Sequence, residues 1–520
     1  MAPERQHTFG ARLAFVLARV TTFAIDGVEP RQVCVEVDIR PGLPAFTIVG
    51  LGDAAVRESR ERIRSAILNS GFEFPQRRIT ANLAPASLRK AGPGFDAAMA
   101  LAVLAASGQL SPNALSHVAV FGELSLSGEL RESAGVLAVA EGASRCGLEK
   151  LVVPAGRARE ASLVDGIQVL GVSTLRTAVD AVTGKRLPLP PTELREATAA
   201  VEPDLADVRG HAVPLMAVQI AAAGGHNLLL EGPPGTGKTM LARRLPSILP
   251  PLTRAEAIEV TRIHSVVGVH HDGLVRGRPF RAPHHTISAA GLVGGGSTPR
   301  PGEATLAHLG VLFMDELSEF QRPAVEALRQ PLEDGRVSIV RGQHALIFPT
   351  RFMLVAATNP CPCGYAGVAD RCTCGESDLR RHQRRISGPL LDRMDLLVPV
   401  QRPSDAELRG GPVTDSKAAR GRVALARERQ QRRLAGTSAR CNGEMDAGTI
   451  QARVRLDEGG QAALGDAYLA GMLSARGRHR VVRVAQTIAD LDGRDTITDA
   501  DVLLALNFRQ RAGGEEVAAA

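Results

Sequence analysis

The stretch Asn227-Leu-Leu-Leu-Glu231-Gly-Pro-Pro-Gly-Thr-Gly-Lys-Thr239 decides the fold of the central part of this chain. Its first five residues predict a short buried strand, and residues 240–245 predict the start of a helix. In the Gly-x4-Gly-Lys-Thr spacing, backbone N–H groups wrap phosphates, Lys238 reaches the β and γ oxygens, and the Thr239 hydroxyl ligates Mg²⁺. We therefore predict that ATP and Mg²⁺ bind at Gly232, Pro233, Pro234, Gly235, Thr236, Gly237, Lys238, Thr239 and Met240.

Two further strands end in polar residues that ATP hydrolysis requires. The apolar run Val311–Met314 is followed by Asp315 and Glu316. Asp315 is predicted to ligate Mg²⁺, and Glu316 to polarise the attacking water. The next strand ends at Asn359, whose amide is predicted to orient that water because the carboxyl ends of parallel strands share one edge of a sheet. The alternative is that Asn359 only caps a turn.

An arginine precedes the last apolar strand of this region. The motif Leu390-Leu-Asp-Arg-Met-Asp395 places Arg393 just before the strand 396–400. An arginine in this position reaches the γ-phosphate of a neighbouring subunit if the strand ends near a subunit surface. A local salt bridge to Asp392 or Asp395 is the alternative, and the motif alone leaves both open.

Length predicts several domains, and the pattern of strands and helices predicts a multidomain α/β protein. A chain of 520 residues with 44% hydrophobic and 22% charged content is too long for one core and predicts roughly two to four domains. Residues 1–184 mix strands and helices without strict alternation, which indicates an α+β domain. Residues 185–200 are rich in proline and predict a linker. We expect the P-loop core at 201–402.

The longest apolar run in the sequence is residues 97–106. It is much shorter than the roughly 18 residues that span a bilayer. The N-terminus also lacks the pattern of a signal peptide. We therefore expect a cytoplasmic protein with no membrane partner.

Basic residues are concentrated in one C-terminal segment. The net charge is +7 with a pI near 9.3, and residues 417–440 hold eight basic side chains against one acid. Trp is absent and aromatic residues make up only 3% of the chain, so we expect nucleic-acid contacts with phosphates rather than stacked bases. A solvated basic surface is the alternative. The residues predicted to contact DNA here are Arg427, Arg429, Arg432 and Arg433.

Four of the seven cysteines crowd into one short segment. Cys361, Cys363, Cys372 and Cys374 supply enough thiols for one tetrahedral Zn²⁺, although their C-x-C spacing is tighter than in the usual zinc knuckle. One alternative is that His382 replaces a sulfur ligand. The other is a loop of reduced cysteines without a metal.

With these residues in place, the chain resembles the ComM/YifB family of magnesium-chelatase-like ATPases, AAA+ proteins of the helicase clade that includes MCM. The resemblance extends from about residue 23 to 508. It implies a homo-oligomeric ring, a hexamer, that hydrolyses ATP and acts on branched DNA in branch migration or helicase action. The most distinctive stretches are Gly42-Leu-Pro-Ala-Phe-Thr-Ile-Val-Gly50, Asn82-Leu-Ala-Pro85, Gly122-Glu-Leu-Ser-Leu126, Arg278-Pro-Phe-Arg-Ala-Pro-His-His285, Asn359-Pro-Cys-Pro-Cys-Gly364 and Ile386-Ser-Gly-Pro-Leu-Leu-Asp-Arg393.

The resemblance implies roles for individual residues. It makes Asn359 the sensor and Arg393 the arginine finger. It also implies a helical lid at 403–520 that carries a sensor arginine. Arg476 matches this position best, and Arg480 competes with it.

The resemblance also marks two insertions in the core. Residues 264–300 are rich in His, Arg and Gly, with too few apolar residues for a core of their own, and in relatives this segment decorates the ring pore. Residues 337–348 predict a β-hairpin with Arg341 and His344 beside its tip. By likeness to MCM-type motors, both residues are predicted to contact DNA; an ordinary surface hairpin is the alternative.

The N-terminal domain resembles the Lon protease catalytic fold, of the ribosomal S5 type, without its catalytic residues. A Lon-type protease needs a serine after Gly-Pro and a lysine further on. Here Gly94 follows Gly92-Pro93, and residues 122–140 contain no lysine. Without a nucleophile and its base the reaction has no first step, so we expect a non-catalytic domain used for assembly or substrate contact.

Two other functions compete with the DNA motor. A magnesium-chelatase-type motor subunit would act with a partner that carries an integrin-like metal site, and this chain contains no Asp-x-Ser-x-Ser sequence. A protein-remodelling ATPase or a non-hydrolytic scaffold is the second rival.

Overall fold

The computed structural model describes residues 17–185, 203–269, 271, 273–296, 299–341, 344–368, 371–386 and 388–509, with the backbone alone at 341 and 344. The described residues divide into two compact units. Unit 1 takes those of Met1–Ala197 and Thr261–Leu274, and unit 2 those of Thr198–Val260 and Val275–Ala520. The predicted linker lies outside the described residues apart from Lys185, as does the turn of the predicted hairpin.

Unit 1 contains nine strands and five helices within its described part. The strands are β1 (Ala18–Asp26), β2 (Glu29–Arg40), β3 (Ala45–Val49), β4 (Arg78–Ala84), β5 (Val118–Val120), β6 (Glu123–Leu124), β7 (Leu130–Arg131), β8 (Lys150–Pro154) and β9 (Gln168–Val172). The helices are α1 (Ala54–Asn69), α2 (Asp96–Ala106), α3 (Val136–Arg145), α4 (Ala158–Ala161) and α5 (Leu175–Val182).

Seven of these strands form one mixed sheet in the order β3-β4-β2-β1-β5-β8-β9. The central strands β1, β2 and β4 pair antiparallel, whereas β3 with β4 and the series β1, β5, β8 and β9 pair parallel. Helix α2 lies against β1 and β2. It is apolar on all sides and buried almost throughout, as expected for a helix inside a core.

The segment Thr261–Leu274 belongs to unit 1 although its neighbours in sequence belong to unit 2. Arg262 Nη1 lies 3.3 Å from a carboxylate oxygen of both Glu29 and Glu141. The backbone N–H of Gly135 donates to the carbonyl of Ser265 at 3.0 Å. These contacts attach the segment to the N-terminal part of the chain.

Unit 2 contains eleven strands and most of the helices of the described residues. The strands are β10 (Leu228–Glu231), β11 (Phe280–Arg281), β12 (Gly294–Gly295), β13 (Arg300–Pro301), β14 (Val311–Met314), β15 (Arg336–Arg341), β16 (His344–Pro349), β17 (Met353–Thr358), β18 (Leu396–Pro399), β19 (Arg455–Leu456) and β20 (Thr496–Ile497). The helices, of which α8 ends in unit 1, are α6 (Ala212–Gly224), α7 (Lys238–Arg244), α8 (Arg254–Val266), α9 (Ala289–Val293), α10 (Glu303–Leu306), α11 (Arg322–Ala327), α12 (Arg329–Asp334), α13 (Glu376–Arg385), α14 (Gly388–Leu391), α15 (Asp405–Arg409), α16 (Ser416–Arg433), α17 (Ala447–Arg453), α18 (Glu458–Leu469), α19 (Ala475–Leu491) and α20 (Asp499–Asn507).

The core of unit 2 is a five-stranded parallel sheet in the order β11-β14-β17-β10-β18. Strands β14 and β17 are buried at every position, which explains their uninterrupted apolar sequences, because a parallel sheet is covered on both faces. Helix α6 packs against α16 and α19 of the C-terminal helical region. Because the strands are parallel, the loops that follow them meet at one edge of the sheet.

The predicted mixed α/β architecture, with a parallel-sheet core and a helical C-terminal region, is confirmed. The predicted hairpin is present: β15 and β16 pair antiparallel, and Arg341 lies opposite His344 in their register. The likeness of the N-terminal domain to Lon stays a prediction. In the part of the chain that the structure describes, no helix is both long and apolar enough to cross a membrane.

Candidate active site

The P-loop joins β10 to α7. Gly235 and Gly237 have φ angles of +77° and +87°, which are left-handed conformations that favour glycine. Gly232 is restricted by space instead, because a Cβ there would lie 2.1 Å from the carbonyl oxygen of Val400. These positions explain why the loop needs its three glycines and can fold closely around an anion.

Lys238 lies inside this loop. Its Nζ donates to the carbonyl oxygens of Gly232 and Pro233, at 2.6 and 2.8 Å, and to Oδ1 of Asn359 at 3.2 Å. Burial lowers the pKa of Lys238, and the nearby carboxylate of Asp315 opposes that shift. The lysine predicted to bind phosphate and the amide predicted to act as sensor are therefore in direct contact.

Asp315 follows β14 and reaches the start of α7. The hydroxyl of Thr239 donates to Asp315 Oδ2 at 2.7 Å. A hydroxyl and a carboxylate are hard oxygen ligands of the kind that Mg²⁺ prefers when it also binds phosphates and water. This pair of oxygens therefore fits the predicted Mg²⁺.

Glu316 stands beside this pair in a left-handed backbone conformation, with a φ of +53°. Such a conformation costs on the order of 1–3 kcal/mol for a residue with a side chain. Its side chain is 57% exposed, so water can reach it. One cavity of about 430 Å³ brings together residues 234–240 of the P-loop with Asp315, Glu316, Ala357, Thr358 and Asn359.

His285 is a residue near this site that sequence reasoning missed. Its Nδ1 lies 3.9 Å from Oε2 of Glu316. Its ring packs against the ring of His284, with centroids 4.1 Å apart, and meets the edge of Phe320. His285 follows β11, which pairs in parallel with β14. That pairing brings His285 beside Glu316, and it is a property of the fold that the sequence does not show.

A second cavity, of about 510 Å³, contains the predicted finger and lid sensor. It shares no lining residue with the P-loop cavity. The structure thus brings Arg393 and Arg476 together and separates both from the P-loop of their own chain. The arginines that line it are Arg278, Arg351, Arg393, Arg427, Arg440, Arg476, Arg480 and Arg483.

Arg393 has a local partner, but not the one that the sequence suggests. Its guanidinium forms an ion pair with Glu333 and donates to the carbonyl of Pro389. The expected alternatives were Asp392 and Asp395. Glu333 belongs to α12, which is distant in sequence, so the motif around Arg393 contains no information about it.

The two candidates for the lid sensor differ in exposure. Arg476 is exposed on the first turn of α19. Arg480 is less exposed, and its Nε lies 3.9 Å from Oδ1 of the buried Asp395. Arg476 is therefore the more accessible of the two.

The four clustered cysteines lie in sequence between β17 and α13, and the structure brings them together. Their Sγ atoms all lie within 4.8 Å of one another. Backbone N–H groups of Tyr365 and Thr373 lower the pKa of Cys363 to about 6, which favours the thiolate. His382 does not join the cluster: its Nε2 lies 2.9 Å from the carbonyl oxygen of Asn359. The cluster is Cys361, Cys363, Cys372 and Cys374.

The predicted DNA arginines of α16 have different environments. Arg433 is 11% exposed and pairs with the fully buried Asp490 at 2.5 Å. Arg427 donates to the carbonyl of Ala222 at 2.9 Å, and Arg429 pairs with Asp495 at 3.3 Å. Arg432 is exposed. The side chains of the hairpin residues Arg341 and His344 lie outside what the structure describes.

The N-terminal domain has no room for a serine at the predicted nucleophile position. A Cβ on Gly94 would lie 2.5 Å from the ring of Phe121. Lys90, the nearest lysine before it, is fully buried and donates its Nζ to the carbonyl of Pro85. The geometry thus leaves no space for a hydroxyl nucleophile at Gly94; that the domain lacks peptidase chemistry stays a prediction.

Sequence comparison places these features in one family. Models described as "Magnesium chelatase, subunit ChlI", "Subunit ChlI of Mg-chelatase" and "Magnesium chelatase, subunit ChlI C-terminal" match residues 204–408, 35–157 and 413–509. A protein of Mycobacterium tuberculosis is 43% identical over 497 residues, which cover 95% of this chain and 99% of the relative. YifB of Escherichia coli is 41% identical over 497 residues, and competence protein ComM of Haemophilus influenzae 40% over 505; each alignment covers 95% of this chain and 97% of the relative. The chain therefore belongs to the ComM/YifB family of magnesium-chelatase-like AAA+ ATPases.

Proposed function

We propose that this protein is an ATP-driven DNA motor that works in the cytoplasm as a homo-oligomeric ring, a hexamer, in branch migration or helicase action on forked or branched DNA. The observation that carries the proposal is the division of the candidate catalytic residues between two separate cavities of unit 2. One cavity holds the P-loop, the acids and Asn359, and the other holds the arginines. A complete site therefore requires residues from two chains.

The residues of the P-loop cavity have separate roles in this proposal. The loop backbone and Lys238 hold the triphosphate, and the oxygens of Thr239 and Asp315 hold Mg²⁺, which when bound neutralises charge on the β and γ oxygens. Glu316 accepts a proton from the attacking water. Asn359 orients that water and fixes Lys238 through the contact between Oδ1 and Nζ.

The arginine cavity acts on the nucleotide of a neighbouring chain. Arg393 supplies positive charge to the γ-phosphate, the role of an arginine finger, and exposed Arg476 acts as the lid sensor. For Arg393 to do so, its guanidinium must exchange the carboxylate of Glu333 for the neighbour's phosphate. Because Glu333 is 54% exposed, it can be solvated after the exchange.

The hairpin and one arginine of α16 are the proposed contacts with DNA. In the hairpin β15–β16, Val340 and Ile347 are 70% and 51% exposed. Large apolar side chains that are exposed together are typical of an interaction surface. On α16, we assign phosphate contact first to the exposed Arg432. Arg427, Arg429 and Arg433 contact residues of this chain and would need to give up those partners.

The test is the rate of ATP hydrolysis with and without forked or four-way DNA, over a series of salt concentrations. We expect stimulation by branched DNA, and binding that weakens steeply with salt and depends little on base sequence. Lys238→Ala provides the background rate. Active, hexameric protein without DNA stimulation would contradict the motor.

The match to magnesium-chelatase models favours a second candidate, a motor subunit that drives Mg²⁺ insertion into a porphyrin. Such a motor hydrolyses ATP but has no reason to respond to a four-way junction. A protein-remodelling ATPase is the third candidate, and it would be stimulated by an unfolded protein substrate instead. Stimulation by branched DNA in this assay separates the DNA motor from both other candidates, and stimulation by added unfolded protein identifies the third.

A further inference from the structure

We propose that Cys361, Cys363, Cys372 and Cys374 bind one Zn²⁺, and that this ion holds in place against the P-loop the sensor loop, which begins at Asn359 and ends before α13. Hydrolysis of ATP then depends on a metal that takes no part in the reaction itself. The inference rests on the proposed ATPase function, which it deepens, and not on the identity of the substrate that the motor moves.

The distances between the sulfur atoms fit a single tetrahedral ion. With Zn–S bonds of about 2.3 Å, tetrahedral geometry places the sulfurs about 3.8 Å apart. The Sγ of Cys361 lies 3.3 Å from that of Cys363 and 4.0 Å from that of Cys372, and the Sγ atoms of Cys363 and Cys372 are 3.7 Å apart. An iron–sulfur cluster places several metal atoms between its thiolates and needs wider spacing, so the cluster fits a single ion. Of the ions that take four thiolates in a tetrahedron, Zn²⁺ is the one proposed, and the metal content of the protein distinguishes it from a single iron.

The four ligands close the sensor loop at both ends. Cys361 lies two residues after Asn359, and Cys374 lies two residues before α13. Helix α13 in turn carries the buried His382, whose Nε2 lies 2.9 Å from the carbonyl oxygen of Asn359. A bound ion would therefore fix the sensor from both directions, through the chain that precedes the cluster and through the helix that follows it.

The same loop contacts the phosphate-binding loop directly. Gly364 has a φ of +87°, and a Cβ added to it would lie 2.7 Å from Cδ of Pro234 in the P-loop. On the other side, Oδ1 of Asn359 accepts a hydrogen bond from Lys238 at 3.2 Å. The cluster thus lies behind a surface that touches the P-loop at two points. Loss of the metal would loosen both contacts at once.

The first measurement is metal content. Full-length protein purified under reducing conditions is expected to contain about one Zn²⁺ per chain and, after exchange with Co²⁺, to show the visible absorption of tetrahedral cobalt bound to thiolates. Protein that contains no zinc and gives no cobalt spectrum would overturn the site.

The second measurement links the metal to hydrolysis. Cys372→Ser is expected to lose zinc and to lower kcat for ATP by roughly tenfold or more, because the residues that position a catalytic group typically contribute that much to activity. Nucleotide affinity should change little. The exposed Cys146 of unit 1 provides the control, because Cys146→Ser should keep both zinc and kcat. If Cys372→Ser does not fold, wild type stripped with a chelator and returned to excess Mg²⁺ replaces it, and added Zn²⁺ should restore kcat.

A matched pair of glycine variants tests the contact with the P-loop without touching a ligand. Gly364→Ala and Gly367→Ala both place a side chain at a left-handed position, but a Cβ on Gly367 would meet nothing within 4 Å. Both variants should keep zinc, and only Gly364→Ala should slow ATP turnover. Equal kcat values for the two variants, or an unchanged kcat after zinc loss, would overturn the link between metal and sensor. An enzyme that binds zinc and nucleotide but hydrolyses no ATP in any form would instead refute the proposed function.

Discussion

Among single residues, Glu316 is the one whose loss should separate nucleotide binding from hydrolysis. Its carboxylate lies in the P-loop cavity and contacts neither Lys238 nor Thr239 in the hydrogen bonds that the structure shows there. Glu316→Gln should therefore bind ATP with nearly normal affinity, yet lower turnover by about 10²- to 10⁴-fold, because an amide cannot accept the proton of the water. Steady-state hydrolysis and nucleotide binding measure the two effects.

The control for this substitution lies three residues further along the chain. Glu319 is also acidic and partly exposed, but it pairs with Arg385 at 3.2 Å and does not line the P-loop cavity. Glu319→Gln should keep nearly normal turnover. A Glu316→Gln variant that hydrolyses ATP as fast as Glu319→Gln would show that Glu316 is not the base.

The raised pKa of Asp96 predicts that the stability of unit 1 depends on pH. It is fully buried, and burial raises its pKa to about 6 despite the bond to Arg62. The folded state therefore binds a proton between about pH 4 and 6 that the unfolded state has released, so stability should fall as the pH rises through this window. Asp96→Asn should flatten that part of the profile. Thermal unfolding of both proteins from pH 4 to 8 measures the difference; identical pH profiles would refute the assignment.

At the scale of elements, α16 combines a structural face with an exposed one. Arg433 holds this helix to α19 through Asp490, whose carboxylate is fully buried. Arg433→Ala should destabilise unit 2 by about 3–5 kcal/mol, because it leaves a buried charge without its partner. Arg432→Ala should change stability by no more than about 0.5 kcal/mol.

The same two arginines should differ in the opposite sense when DNA binding is measured. Arg432→Ala is expected to weaken binding to forked DNA at all sequences and to reduce the salt slope by about 1. Binding titrations at several salt concentrations and denaturant unfolding of both variants test the pair. An Arg432→Ala variant with an unchanged salt slope would remove this residue from the proposed DNA surface.

The sequence predicts the elements of the parallel sheet well because β14 and β17 are continuous apolar runs and the P-loop has a fixed spacing. It also predicts which residues follow those strands, since parallel strands end at one edge. It does not predict ion pairs between distant positions. Glu333 lies 60 residues from Arg393, and Asp490 lies 57 from Arg433. Such partners depend on how the helices pack, and no local pattern contains that information.

At the scale of the whole molecule, the two separate cavities of unit 2 predict that inactive chains can complement each other. Lys238→Ala loses the P-loop but keeps the finger, and Arg393→Ala has the opposite defect. Each variant alone should be almost inactive. In an equal mixture, about a quarter of the head-to-tail contacts of a ring combine an intact P-loop with an intact finger, so a part of the ATPase activity should return.

Two further measurements make this experiment decisive. Native mass spectrometry of the mixture establishes that rings contain both variants and reports how many chains each ring has. A mixture of Lys238→Ala with Glu316→Gln is the control, because both defects lie in the same cavity and no contact is repaired. Mixed rings without recovered activity would place Arg393 outside the neighbour's site.

Because Thr261–Leu274 belongs to unit 1, the two units cannot be separated by cutting the gene at one point. A coding fragment that stops at residue 185 supplies the seven-stranded sheet but omits Arg262 and Ser265, which contact Glu29, Glu141 and Gly135. The carboxylates of Glu29 and Glu141 then lose a shared cation. A recombinant N-terminal domain should consequently be made with the peptide 261–274 fused to its end or supplied in trans. A recombinant fragment that starts at residue 203 should have residues 261–274 replaced by a short loop.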